Sequence, residues 1–283
     1  MAKLFPRTEV AGVSMPRILI GTNWLLGYSH RSPAQDRKIK AQYDEPAKFL
    51  PVFEAYAEYG IDAVMGPVST TPIMYDAIKY AEEKLEKKLI IIDTPGMNVD
   101  DSAEARREAE KVIRHSAEIG STFCLVHHAS CEQLINKNLR QMPRLPDYLS
   151  IIRYAGMLPG LSAHMPECIT YSDANGYDVE TYIQIFNCMG FLMQVEIESV
   201  ARIINHAKHP VMTIKPFAAG RTTPYVGLNF NWSAIRDIDM ITVGANNADE
   251  VHEDVEISFA AMEHRFPNLG ARSSPVKQEI LGH

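Results

Sequence analysis

TFCLVHHAS, residues 122–130, is the stretch on which the reading of the fold turns. Phe123 to Val126 form a short apolar run that stops at two adjacent histidines. A run of this length without polar alternation suits a strand buried on both faces, as in a parallel sheet. Successive strand residues face opposite ways, so only one of His127 and His128 can continue the buried face. Three readings follow: the end of a catalytic barrel strand, half of a metal site, or two histidines in an ordinary loop.

Outward from this run the pattern repeats. Similar runs stand at RILIG (17–21), IDAVMG (61–66), KLIIID (88–93), GLSAHM (160–165), GFLMQ (190–194), PVMTIK (210–215) and DMITVG (239–244). Helical patterns lie between them. PAKFLPVFEAYAEYG (46–60) has apolar residues three and four apart and ends in Gly60, a suitable C-cap. DSAEARREAEKVIRHSAEIG (101–120) opens with acids and closes on Gly120, matching the helix dipole. VETYIQIFNCMG (179–190), EIESVARIINHAK (196–208) and NADEVHEDVEISFAAMEHRF (247–266) read as helices too, the last with an N-cap candidate at its start. Strand and helix alternating eight times predicts an α/β fold, a single (β/α)8 TIM barrel. The rival, an open doubly wound sheet, wants a glycine fingerprint after its first strand, and GTNWLLG (21–27) is not GxGxxG. No linker or low-complexity tract divides residues 1–283, which read as one domain. Two connections are long, 22–46 and 131–159, and long loops in compact domains are usually functional.

Composition excludes several classes. The 283 residues carry a net charge of -7 and no basic run, which argues against nucleic acid as a partner. No apolar stretch reaches the ~20 residues of a membrane span, and the start, MAKLFPRTEV, has no signal-peptide core. The four cysteines form no CxxC pair, so reduced thiols in a cytoplasmic protein are expected. A small-molecule ligand is the expected partner; the oligomeric state stays open, a homo-oligomer included.

In a barrel, polar residues at the C-terminal ends of strands meet at the site. Those ends supply Asn23, Ser69, Asp93, His127 or His128, His164, Gln194, Lys215, Arg221 and Asn246. Asp93, His127 or His128, and His164 follow three successive strands, and two histidines with a carboxylate make a facial set for a divalent metal. Without metal, the same histidines can move protons near neutral pH. Lys215 ends an apolar run, where desolvation would lower its pKa and fit it to hold an anion or a developing enolate. AAGRTTP (218–224) and VGANNADE (243–250) follow the last two strands; Gly244, Asn246 and Arg221 suit phosphate binding at a helix N-terminus. Trp24 and Tyr28 are candidates for an aromatic wall.

The order of these motifs resembles the aldo-keto reductases. RTEVAGVSMPRILIGTNWLLG (7–27) resembles their opening, a hairpin that caps the barrel floor and a first strand ending in Gly-Thr. LVHHAS resembles the fourth-strand motif with their catalytic histidine, GLSAHMPE the fifth, FLMQVEI the sixth, IKPFAAGR the seventh and ITVGANNADEVHEDVE the eighth with its helix. The resemblance implies a short N-terminal cap hairpin, NADP as cofactor, His127 as the catalytic histidine, and Ser162 and Gln194 in the cofactor pocket. It also implies an Asp after strand two, a Tyr nearby and a Lys after strand three. Strand two ends MGPVST without the Asp, Pro95 stands where the Lys would fall, Ala163 replaces an Asn, and Tyr75 is the nearest tyrosine. A tyrosine acid with pKa near ~10 needs those partners.

The expectation is therefore a small-molecule enzyme with the family's barrel and an incomplete catalytic set, working by acid/base chemistry on a polar substrate that bears a carbonyl or a phosphate. Catalytic roles are expected of His127, His164, Lys215 and Asp93, and binding roles of Asn23, Trp24, Ser162, Gln194, Arg221, Gly244 and Asn246. Two alternatives stay open: a metal-dependent lyase or isomerase using Asp93 and the histidines, and a barrel that binds a ligand without turnover.

Overall fold

A computed structural model describes residues 3–270. Strands β1 (Arg7–Val10) and β2 (Val13–Pro16) form an antiparallel hairpin with Arg7 opposite Pro16. Its two-residue turn, Ala11 and Gly12, is left-handed at both positions, with φ of 50° and 82°, which matches the twist of a tight hairpin. Eight parallel strands follow: β3 (Ile18–Gly21), β4 (Ala63–Gly66), β5 (Ile90–Asp93), β6 (Phe123–Val126), β7 (Leu158–Ala163), β8 (Thr181–Ile185), β9 (Val211–Ile214) and β10 (Met240–Val243). They pair in chain order and close into a barrel, β10 against β3. The expected (β/α)8 barrel with its cap hairpin is the fold.

The apolar runs are continuous because each strand feeds two cores. One residue parity turns inward: Leu19, Ala63, Met65, Ile92, Phe123, Leu125, Ile183, Met212 and Met240 fill the barrel, and Val10 and Met15 of the hairpin join them from below. The other parity, including Ile20, Val64, Ile91, Cys124, Leu161, Tyr182 and Val243, packs against the helices. The hairpin therefore closes the floor and leaves the C-terminal strand ends as the mouth.

The outer helices are Leu50–Ala57, Pro72–Leu85, Ala103–Glu118, Leu145–Tyr154, Glu167–Asn175, Ile197–His206, Pro224–Ala234 and Ala248–Met262. Ser102, Thr223 and Asn247 cap three of them through their side-chain oxygens. Among the described residues, no helix is long and apolar enough to cross a membrane.

Three expectations need correction. The sixth barrel strand is β8, not GFLMQ at 190–194, and it lies inside the stretch expected to be helical. Val179, Tyr182, Ile183 and Phe186 are spaced three, one and three apart, so a short strand buried on both faces mimics helical spacing. The β-branched and aromatic content of TYIQI was the better signal. GFLMQ forms a loop instead, tied by the Asn187 side chain to the backbone of Met189 and Phe191. The connection 22–46 is not structureless, since it holds helices Asn23–Leu26 and Pro33–Gln42, the second capped by Ser32. The connection 131–159 contains the helix of the fourth unit, Leu145–Tyr154, and the start of β7.

Candidate active site

Strand parity decides which side chains reach the mouth. Continuing the inward set past the last strand residues gives Gly21, Thr94, His127, Ser162, His164, Thr242 and Gly244, and all seven line a cavity of about 550 Å³. Asn23, Trp24, Tyr28 and Lys215 line it as well.

Asp93 is not among them. Ile92 faces inward, so Asp93 faces the helix layer, fully buried, where it accepts the Ser69 N–H at 3.1 Å. Burial raises its pKa. Burial, with the Asp93 carboxylate beside it, also pushes the Cys124 thiol up to about 12. The placement expected from the sequence ignored the alternation along β5.

Both histidines of the LVHHAS stretch face the cavity. His127 arrives by parity, two residues beyond Leu125. His128 arrives because the chain stops being extended and enters a short helix, His128–Cys131. Its ring lies 4.2 Å from that of His127 and stacks on that of His164 at 3.9 Å, with 18° between planes. The His127 Nδ1 accepts the Ala129 N–H at 3.3 Å, which puts the ring's proton on Nε2.

Glu132, one helical turn beyond His128, joins this cluster. Single ligand atoms of His128, Glu132 and His164 all lie within 4.8 Å of one another. The Glu132 Oε1 accepts the backbone N–H groups of His164 and Met165 at 2.6 and 2.8 Å. The sequence reading missed Glu132, although its spacing of four from His128 was a signal, because residues four apart share a helical face.

Lys215 reaches the mouth against parity. Ile214 faces inward, so an extended Lys215 would point outward. Its φ is 60°, a left-handed conformation that re-aims the side chain into the cavity. There its Nζ lies 3.2 Å from the Nε2 of His30, which also lines the cavity. The His30 Nδ1 donates to the Tyr28 carbonyl at 2.9 Å, so the neutral ring presents the Nε2 lone pair to the lysine. His30 was missed because it lies in the long first connection, where no strand-end rule applies.

Burial lowers the Lys215 pKa to about 8. Burial, then the charges of His128 and Lys215, lowers the His127 pKa to about 4 and the His164 pKa to about 3. His128 and His30 are lowered too, chiefly by burial. At neutral pH the cluster is a set of uncharged imidazoles facing one lysine that is mostly charged.

This arrangement predicts acid sensitivity. The unfolded chain takes up histidine protons near 6.5, whereas folded His127 and His164 do so near 4 and 3. Between these values the unfolded state binds more protons, so stability falls as pH falls. Thermal melts should show a drop from pH 7 to pH 4, smaller in a His164→Phe variant. An equal drop in both would contradict the assignment.

The other expected residues divide. Gly244 lines the cavity with Trp24 packed on it: a Cβ there would lie 3.1 Å from the Trp24 Cδ1. Asn246 lines an adjoining cavity of about 450 Å³, shared by Trp24, Phe217 and Gly244. Gln194 is exposed on the loop after β8. The glutamine on that strand is Gln184, which is buried with outward parity and donates to the His164 carbonyl at 3.1 Å. Arg221 is exposed, 3.9 Å from the centre of the Phe191 ring, and lines neither cavity. Tyr75 lies on helix Pro72–Leu85, packed against the outer core.

No protein-family model matches the chain, and no curated protein matches it. Solved structures do. A candidate aldo-keto reductase from Pseudomonas aeruginosa is similar over 91% of this chain and 94% of its own, at 13% identity and a TM-score of 0.61. A glycerol dehydrogenase from Gluconobacter oxydans is similar over 95% and 98%, at 12% identity and a TM-score of 0.56. An aldo-keto reductase from Klebsiella pneumoniae, solved in complex with NADPH, is similar over 95% and 92%, at 14% identity and a TM-score of 0.54. The barrel is thus similar in shape to the aldo-keto reductases, and at these identities the likeness is one of fold.

Proposed function

We propose that this barrel is a small-molecule enzyme that moves protons on a polar substrate bearing a carbonyl group. One observation carries the reading: Lys215, turned inward by a left-handed backbone, sits in the mouth with its pKa near 8, against His30 and facing the uncharged imidazoles. An ammonium group in such a site stabilises an oxyanion as it develops. The Nε2–H of His127 supplies a second donor to the same oxygen. Once the substrate oxygen engages Lys215, the His30 Nε2 is free to accept the proton from the adjacent carbon. Asn23 and Ser162 orient the polar substrate, and Trp24 walls it. The test is deuterium wash-in from D2O at the carbon beside the carbonyl, followed by NMR across a panel of small hydroxy-carbonyl compounds, phosphorylated and not. Exchange with none of them would sink the reading.

One similar structure holds NADPH, but several features here argue against a nicotinamide cofactor. Where the dinucleotide's phosphates would lie against the last helix, Glu250 already accepts the Asn246 N–H at 2.7 Å, and Asn247 caps the Glu250 N–H at 2.8 Å. A phosphate would have to displace the protein's own carboxylate. Arg221 points elsewhere, and neither Gln184 nor Gln194 lines the cavity. Fluorescence titration with NADPH should show no saturation at low micromolar concentration; saturation there would restore the reductase reading.

A further inference from the structure

We infer that His128, Glu132 and His164 form a binding site for one divalent transition-metal ion, in the class of Mn²⁺, Fe²⁺, Co²⁺ and Zn²⁺. This deepens the proton-transfer reading and rests on it only for the ion's role, since the site itself is argued from geometry.

Three features carry the inference. The first is convergence: two imidazoles and one carboxylate offer ligand atoms within 4.8 Å of one another. They come from neighbouring strand ends, His128 and Glu132 just after β6 and His164 just after β7. Two imidazoles with one carboxylate is the facial set that suits transition metals and leaves positions open. The second is preorganisation. Glu132 is anchored through Oε1 by two backbone N–H groups, one of them the amide of His164 itself. Its Oε2 has no hydrogen-bond partner among the described residues and is available to a cation. The same two contacts lock the β7 end to the helical turn that carries His128, and Gln184 holds the His164 carbonyl from the other side. Anchoring of ligands through their surroundings is what functional metal sites share. The third is position. His128 and His164 line the 550 Å³ cavity beside Lys215, so an ion held by them faces the substrate space rather than the core.

Hard oxygen-only cations fit poorly, because imidazole selects transition metals over Mg²⁺ and Ca²⁺. The His128 and His164 rings stack, so chelation of one ion by both requires at least one ring to rotate. An ion here would act as a Lewis acid on the carbonyl oxygen that Lys215 also engages, so the substrate class becomes one with two neighbouring oxygens, such as a hydroxy ketone or a 2-oxo acid, which can chelate.

The experiment is metal binding to the full chain in the absence of substrate. Chelator-stripped protein is titrated with Co²⁺, read by its visible d–d absorption, and with Zn²⁺ by calorimetry. One ion per chain is expected. Glu132→Gln keeps an oxygen for the two backbone amides and removes the charge, and His164→Ala removes a ligand; each should weaken binding by about 100-fold or more, at least the top of the ~10–100-fold range seen when a ligand's hydrogen-bonding partner is lost. Asp93→Asn should leave affinity unchanged, and circular dichroism should show all variants folded. No stoichiometric binding, or equal affinity in wild type and Glu132→Gln, would overturn the site. A chain that binds the ion but exchanges no substrate proton would instead overturn the proton-transfer reading and leave the metal site standing.

Discussion

Lys215→Met lowers turnover by about 10²-fold or more, the scale of one lost electrostatic donor to a developing oxyanion. Methionine matches the length of the lysine stem without its charge, so the cavity keeps its shape. The loss should fall on kcat more than on KM, because the ammonium is worth most when charge has moved onto the substrate oxygen. The pH profile gives an independent check. The Lys215 pKa is lowered to about 8, and the proposed chemistry uses the protonated form, so wild-type activity should decline as pH rises through that value. The variant should lose this limb along with its rate. A variant of near wild-type rate, or an unaltered alkaline limb, would remove Lys215 from the chemistry.

Phe123→Ala destabilises the barrel by about 3–5 kcal/mol, the range for deleting a buried aromatic side chain. Phe123 is fully buried in the inner core, on β6, opposite Ile92 of β5 and Leu158 of β7. Its ring fills the barrel between the floor hairpin and the mouth, where rigid strands cannot collapse onto the void. For a chain of this size the melting temperature should drop by roughly 5–10 °C. Leu139→Ala serves as the control, since Leu139 is 60% exposed and its removal should stay within about 0.5 kcal/mol. Comparable melting of the two variants would show that the inner core is not the stabilising element described.

The sequence made the architecture readable because two-sided burial leaves an uninterrupted apolar run, and seven of the eight barrel strands lie within or overlap such a run. β8 hid because its flanking apolar residues also satisfy helical spacing. Misplacing it by nine residues, Thr181 against Gly190, carried the candidate glutamine to the wrong loop. The mouth was readable where the chain stays extended: His127 and His164 keep the parity of Leu125 and Ser162. Reading failed where that assumption failed or was not applied. Asp93 was one residue off parity, and His30 and Glu132 come from connections that strand logic does not reach; Lys215 and His128 reach the mouth as expected, but through a left-handed φ and a helical turn rather than through strand alternation.

The left-handed backbone at residue 215 has a consequence for how this sequence can vary. Glycine or asparagine would hold that φ with less strain than lysine, for which it costs on the order of 1–2 kcal/mol. Yet neither brings an ammonium group to the mouth. On the proposed reading the position is contested: selection for a sturdier fold pulls toward a small residue, and selection for the proposed chemistry pulls toward lysine. If the proposed role of Lys215 holds, chains of this barrel shape without that chemistry should drift at 215 first, making that single site a marker of the proposed activity.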